Sequence, residues 1–319
     1  KIKSMSGFDK TMTIFWLMGP FIYLIERDPA DLWLSLISLI FLIRCITKKN
    51  WEWTNQLWFK SALILWVLGL FSAITGPEPL FSFQQGFVWI RFPLYAAAAQ
   101  VWLAKDRDIR IVMLLSILIG MLIMSAILIS ETFIEPKTRL TWPYGDKVPG
   151  NYITRISLPL LCVLMAVAVS RKSRVAMFSG CIGMLSIIVS LLTGERVNFL
   201  IRACGGMLAA LVWKPKFILY FSLVLIELVA VLVLAFSRPD LSNRFGGNFI
   251  RDVPLTNMSE SNDYWGVWRG GIQQALIDPV KGTGPSSTRK ICKTLDPTLP
   301  SWLPGKNYCG NHPHNYYIQ

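Results

Sequence analysis

Histidine is almost absent: the 319 residues hold two, His312 and His314, both within the last eight positions. Acidic residues are also few, nineteen against thirty-two Lys plus Arg, and only 16% of the chain is charged while 53% is hydrophobic. A water-soluble enzyme with a charged surface does not have this balance. No DxD-like acidic cluster accompanies the histidines, which argues against metal-dependent sugar transfer. No nucleotide loop is recognisable either, because the Lys281-Gly282-Thr283-Gly284 run lacks the strand and helix that frame a P-loop. There is no initiator Met, no internal repeat and no small-residue cleavage pattern after the first apolar run.

Long charge-free runs are abundant. Ile111–Ser130 and Val175–Gly194 each offer twenty uncharged residues, enough to cross a bilayer core at about 1.5 Å per residue. Thr11–Ile25, Leu32–Thr47, Ser61–Pro77, Gln84–Ala104, Ile156–Ser170, Arg196–Trp213 and Phe217–Ser237 bring the expected spans to nine. The first two are the weakest, with Pro20 in one and Arg44 near the end of the other, and a single re-entrant pair is the alternative. Lys and Arg alternate between connections: they crowd before the first span and between the second and third, fourth and fifth, sixth and seventh, and eighth and ninth. The positive-inside rule then sets a cytoplasmic N-terminus. It also accounts for most of the net +13 charge, so a nucleic-acid partner is not expected. The expected fold is an all-α polytopic transmembrane helical bundle, residues 1–237, followed by a large periplasmic loop, residues 238–319.

That loop and the Glu131–Asn151 connection fall on the same external side, where a long segment without strong periodicity is often functional. Sixteen residues separate Cys292 from Cys309 in the loop, and an oxidising compartment permits a structural disulfide between them. A zinc site built from these two Cys and the two His fits no usual ligand spacing, so no metal is expected. Cys45, Cys162, Cys181 and Cys204 fall in or beside apolar spans as small buried side chains.

Charges inside spans are costly unless paired or wetted. Arg91 has twelve uncharged residues before it and thirteen after. Arg202 and Glu227 raise the same question, and a structural pair among the three stands beside the alternative of a cationic cavity for a lipid headgroup. Arg196 follows Thr193-Gly194-Glu195 at an external span boundary, and Arg155 marks another. Guanidinium groups suit diphosphate through rigid bidentate contacts. The closing run His312-Pro313-His314-Asn315-Tyr316-Tyr317-Ile318-Gln319 sets both imidazoles beside an amide and two phenols. A neutral imidazole there can take a proton from a sugar hydroxyl, whereas a solvated loop or tag remnant is the bland alternative.

Four places together resemble the bacterial O-antigen ligase and O-antigen polymerase superfamily of inner-membrane proteins: the Arg91 helix, the span ending in Thr193-Gly194-Glu195-Arg196, the stretch from Trp268 through Ala275, Asp278, Pro279, Gly282, Thr283 and Gly284, and the terminal motif. The resemblance implies a glycosyltransferase that needs neither metal nor other cofactor. Its donor is a glycan on undecaprenyl diphosphate, and its acceptor is lipid A-core oligosaccharide or a second lipid-linked glycan, all within membrane lipids. It implies His314 as base with His312 assisting, Arg196 and a loop Arg on the diphosphate, and Arg91, Arg155, Asn315, Tyr317 and Trp268 lining the substrate. Where the family pattern has an Arg about one turn before Trp268, this chain has Trp265; Arg269, Arg251 and Arg244 are the alternatives, and Arg269 is nearest in sequence. Further helices are expected beyond the terminal motif. Ligase is preferred to polymerase, with a transporter of lipid-linked glycans, or a structural protein with a disulfide-stapled loop, as the readings outside enzymology.

Overall fold

A computed structural model describes residues 7–25, 27–103, 107–135, 137, 139–145, 149–150, 152–154, 156, 160, 173–194, 225, 229, 233 and 271–291. Among the described residues the regular structure is helical, with no strand. In chain order the helices are α1 (Gly7–Leu17), α2 (Gly19–Ile25), α3 (Arg27–Lys48), α4 (Leu57–Thr75), α5 (Pro79–Val88), α6 (Arg91–Trp102), α7 (Arg107–Ile134) and α8 (Ser173–Leu192). A 3-10 turn, Glu52–Asn55, links α3 to α4; residues 271–277 are helical and a short helix, Thr288–Ile291, follows. Among the described residues, three helices are long and apolar enough to cross a membrane: Asp28–Lys48, Leu57–Thr75 and Arg107–Ile134. Ile64, Leu65, Leu68 and Ile74 of α4 are all exposed. Water would make such a patch an aggregation site, whereas lipid tails solvate it at no cost.

Of the nine expected spans, the second, third and fifth correspond to these helices. The second, α3, runs unbroken through Arg44 for 22 residues and is long enough to cross without a re-entrant partner. The first and fourth differ from expectation, because each is interrupted. Proline is the reason in both, since it has no amide proton and its ring collides with the carbonyl four residues earlier. Pro20 divides the first into α1 and α2 at Met18, and Pro93 divides the fourth into α5 and α6 at Trp89–Ile90. Counting charges does not register a missing N–H.

The chain forms two compact units. The first comprises described residues of Lys1–Trp33 and Trp102–Phe249 and is organised on α7. Its buried positions Ser116, Gly120, Met124, Leu128 and Glu131 recur every three or four residues along one face. Met121, Met124 and Leu128 join Leu140, Tyr152, Ile153, Ile182 and Val189 in one apolar core. Gly120 permits the close approach of α2: a methyl group there would lie 2.9 Å from the Tyr152 hydroxyl and 3.1 Å from Pro20 Cβ.

Around the Met18 break, side chains cap the backbone. The Trp33 indole donates to the Phe15 carbonyl at 3.0 Å, the Ser116 hydroxyl to Leu17, the Tyr152 hydroxyl to Pro20 at 2.7 Å, and the Tyr144 hydroxyl to Tyr23 at 2.8 Å. Trp33 also meets Trp16 edge-on, with centroids 5.6 Å apart. At the end of α7, Glu131 is fully buried. Its carboxylate accepts the Thr141 amide at 2.9 and 3.0 Å, the Thr141 hydroxyl at 3.0 Å and the Trp142 amide at 2.9 Å. This ties the loop that carries Tyr144 to α7.

The second unit comprises described residues of Leu34–Val101 and Ile250–Gln319. Its centre is the α4–α5 hairpin. Across the α5–α6 break the Trp66 indole donates to the Gly86 carbonyl at 3.0 Å, and the Ser38 hydroxyl reaches the Arg91 carbonyl at 2.8 Å. At the other end of α4, Trp53 packs 4.6 Å from Phe59 and 5.2 Å from Phe41, centroid to centroid.

Two outcomes follow for stability. A Cβ on Gly19 would lie 2.5 Å from the Trp33 ring, so Gly19→Ala should cost about 1–3 kcal/mol through overpacking, read as a lowered thermal midpoint in detergent. Burial pushes the Tyr144 phenol up to about 12, above its ordinary value near 10. The folded state therefore holds the proton more tightly than the unfolded state. That stabilisation is complete below pH about 10 and is lost as pH rises toward 12; Tyr144→Phe should flatten this part of the stability–pH curve.

Candidate functional site

Of the site residues expected from sequence, Arg91 lies among the described residues. His312, His314, Asn315, Tyr317, Arg196, Arg155, Arg269, Trp268, Cys292 and Cys309 lie outside them, as do Arg202 and Glu227. The disulfide expectation thus also falls outside; Cys45 and Cys181, within the described set, are free thiols. Among the described residues no group of three or more His, Cys, Asp or Glu side chains could hold a metal ion.

The break at Trp89–Ile90 makes Arg91 the first residue of α6. Its guanidinium Nη1 donates to Ser35 Oγ at 3.1 Å and its Cζ lies 5.2 Å from the Phe92 ring centroid. The Ser38 hydroxyl spans the Leu34 carbonyl, at 2.9 Å, and the Arg91 carbonyl, at 2.8 Å. Two serines three residues apart on α3 therefore grip both the side chain and the backbone of Arg91. A cation thus stands at the break between two helices.

The second element is residues 278–291, which include the Gly282-Thr283-Gly284 run. Asp278 opens a tight turn: its carboxylate accepts the Lys281 amide and its carbonyl the Gly282 amide, both at 2.9 Å. Gly282 and Gly284 have φ of 74 and 90 degrees, a region in which a side chain is strained. A helical stretch precedes this turn, and no strand does, in keeping with the exclusion of a P-loop. The turn seats on the α4–α5 hairpin. A Cβ on Gly76 would lie 2.6 Å from the Thr283 carbonyl oxygen, one on Gly284 would lie 2.9 Å from Ser82 Oγ, and one on Gly86 would lie 3.3 Å from Pro285. Beyond the turn, Lys290 Nζ sits 2.8 Å from Glu78 Oε2 and 4.7 Å from the Phe81 ring centroid.

Sequence reasoning singled out Arg91 and the Gly282–Gly284 run, but missed the Ser35–Ser38 grip, the Gly76 seat and the Lys290–Glu78 pair. The three-residue spacing of the serines is the one local signal that could have pointed to the grip. Compared with known protein families, with curated proteins and with solved structures, the chain matches none.

The seat can be tested directly. Gly284→Val combines a disfavoured φ with a clash against Ser82 and should weaken the docking of the turn by about 1–3 kcal/mol. Trypsin should then cut after Lys281 several-fold faster than in the parent. Glu78→Lys should have a much smaller effect, because the ion pair is half exposed.

Proposed function

We propose that this chain is a multi-pass inner-membrane glycosyltransferase, similar to O-antigen ligases, that moves a glycan from undecaprenyl diphosphate to a hydroxyl of lipid A-core oligosaccharide. The observation that carries the reading is the terminal run His312-Pro313-His314-Asn315, which holds the only two histidines of a strongly apolar chain. Three helices able to cross a membrane support it. So does the seating of residues 281–290 on the hairpin turn at Gly76–Glu78. Charge alternation puts that turn and the segment after Arg238 on the same, periplasmic, side, as contact between them requires. The Tyr144–Tyr23 bond likewise joins two segments assigned to that side, while the Trp102 indole donates to Asp9 at 3.3 Å, joining two assigned to the cytoplasm.

In this proposal His314 takes the proton of the acceptor hydroxyl, whose oxygen attacks the anomeric carbon of the donor. The bond from that carbon to the diphosphate oxygen breaks, and its electron pair leaves with undecaprenyl diphosphate. Arg196 and Arg269 hold the departing charge, His312 orients its neighbour, and Arg91, Arg155, Trp268, Asn315 and Tyr317 line the path. Attack opposite the leaving group inverts the anomeric centre. A Cys292–Cys309 bridge stiffens the loop. An O-antigen polymerase uses the same donor grip with a lipid-linked glycan as acceptor.

One observation favours a second reading. Discontinuous helices that expose charged or helix-end groups are typical of substrate sites in transporters, and α5–α6 breaks immediately before Arg91. A translocator of lipid-linked glycans would depend on Arg91 and tolerate changes in the terminal motif.

The deciding experiment is reconstitution of the purified protein with undecaprenyl-diphosphate-linked glycan and either acceptor in EDTA. Product on lipid A-core identifies a ligase, and lengthened lipid-linked glycan a polymerase. His314→Ala should abolish transfer, a drop on the order of a hundredfold or more, while the protein still inserts. Undiminished transfer by that variant removes His314 from the reaction, and absence of product from the parent protein with both acceptors shifts the reading to transport.

A further inference from the structure

We propose that the turn joining α3 to α4 is a binding site for the headgroup of an anionic phospholipid in the bilayer that those helices cross. Both helices are long and apolar enough to span, so the turn between them lies at headgroup level. Residues 44–60 carry four cations, Arg44, Lys48, Lys49 and Lys60, against a single carboxylate, Glu52. Lys48, Lys49 and Lys60 are exposed. Each cation this close to an anionic surface strengthens binding, and clusters at the ends of spans select anionic headgroups.

Charge alone would make this a diffuse patch; the rings and the backbone make it a platform. Trp53 and Phe59 are buried against each other and Trp53 against Phe41. Trp51 lies 6.0 Å from Trp53, and Trp58 lies 5.7 Å from Phe59. These two outer indoles are 40% and 38% exposed, so each leans on the fixed centre while part of it stays open to the surroundings. Indoles of this kind settle at the headgroup level. The backbone between them is pinned: the Trp53 indole donates to the Asn50 carbonyl at 3.3 Å, and the Thr54 hydroxyl to the Trp51 carbonyl at 2.7 Å.

Lys49 adds a position-specific feature. The Asn50 amide closes back on the Cys45 carbonyl at 3.2 Å, the bond of a helix-ending motif whose left-handed position is ordinarily glycine. Lys49 occupies it with φ of 50 degrees. A cation stands where backbone geometry would favour no side chain at all, and it leaves the helix end at the turn that holds Trp51. A phosphodiester without a compensating amine matches three lysines and two partly open indoles. A zwitterionic headgroup brings its own cation and loses that advantage, and soluble phosphate lacks the acyl chains beside the indoles. Such binding is independent of whichever reaction the chain performs.

The test is competitive lipid retention. Full-length protein in detergent is equilibrated with equimolar phosphatidylglycerol and phosphatidylcholine, and the co-purified lipids are counted by mass spectrometry. The parent should retain phosphatidylglycerol in clear preference, and a large excess of inorganic phosphate should leave the ratio unchanged. Lys49→Gly with Lys60→Gln should lower the preference by roughly fivefold for each lysine removed. Glycine fits the φ at position 49 better than lysine does, so misfolding does not explain a loss there. Lys49→Arg with Lys60→Arg should retain the preference, as should Lys137→Gln with Lys281→Gln, which alters charge elsewhere. An equal ratio in the parent, an unchanged ratio in the Lys49→Gly, Lys60→Gln variant, or displacement by phosphate would each overturn the proposal, the last by identifying a soluble-anion site.

Discussion

A backbone carbonyl freed inside an apolar environment must find a donor, because no water is there to supply one. Two helix breaks, at Met18 and at Trp89–Ile90, set that demand in this chain. Pro20 and Pro93 each interrupt what would otherwise be one apolar helix, and around each break side chains from other helices and from one loop donate to main-chain oxygen. Near Pro20 the donors are Trp33, Ser116, Tyr144 and Tyr152; near Pro93 they are Trp66 and Ser38. Every one of these donors is an amphipathic or small residue that can sit in an apolar interior and still present a single N–H or O–H. Each such bond contributes about 0.5–1.5 kcal/mol net, so the four caps in the first unit together weigh about as much as one or two buried apolar side chains.

This requirement explains the packing around the breaks. Capping Phe15 brings the Trp33 indole against the backbone at Gly19, where no Cβ fits. Capping Pro20 brings Tyr152 against α7, where Gly120 makes room. Glu131 extends the same logic to a charge. Its buried carboxylate is satisfied by two loop amides and a hydroxyl, and the loop so fixed delivers Tyr144 to Tyr23. Small residues, caps and the buried acid form one chain of dependence, in which loss of any link leaves a polar group stranded.

The long helices were legible because a bilayer demands about twenty uncharged residues in sequence, a local property. Residues 111–130 show it directly, and α7 contains them. The breaks were less legible. Pro20 weakens the first run visibly and Pro93 does not weaken the fourth, because charge gaps measure polarity of side chains while a break concerns the main chain. Arg91 stood out as a charge in an apolar run. Its partners Ser35 and Ser38, more than fifty positions earlier, did not, since a hydroxyl on a long apolar helix is unremarkable until its neighbour is known. The glycines at 282 and 284 were visible as a motif, but the surface that requires them, Gly76, Ala73 and Ser82, belongs to tertiary structure.

Gly86 ties these features together within the second unit. On one side a Cβ added to it would lie 3.3 Å from Pro285, part of the seated turn, and its own carbonyl accepts both the Trp66 indole and the Trp89 amide at the break. A side chain at this position would push against Pro285, while a shift of the carbonyl would release Trp66. Arg91 begins α6 only five residues on, about 7 Å of helical rise if the chain were continuous. Helix α5 is ten residues long. Helix α5 therefore carries both the seat of the 281–285 turn and, through the Gly86 carbonyl, the last turn before the break at which Arg91 begins α6.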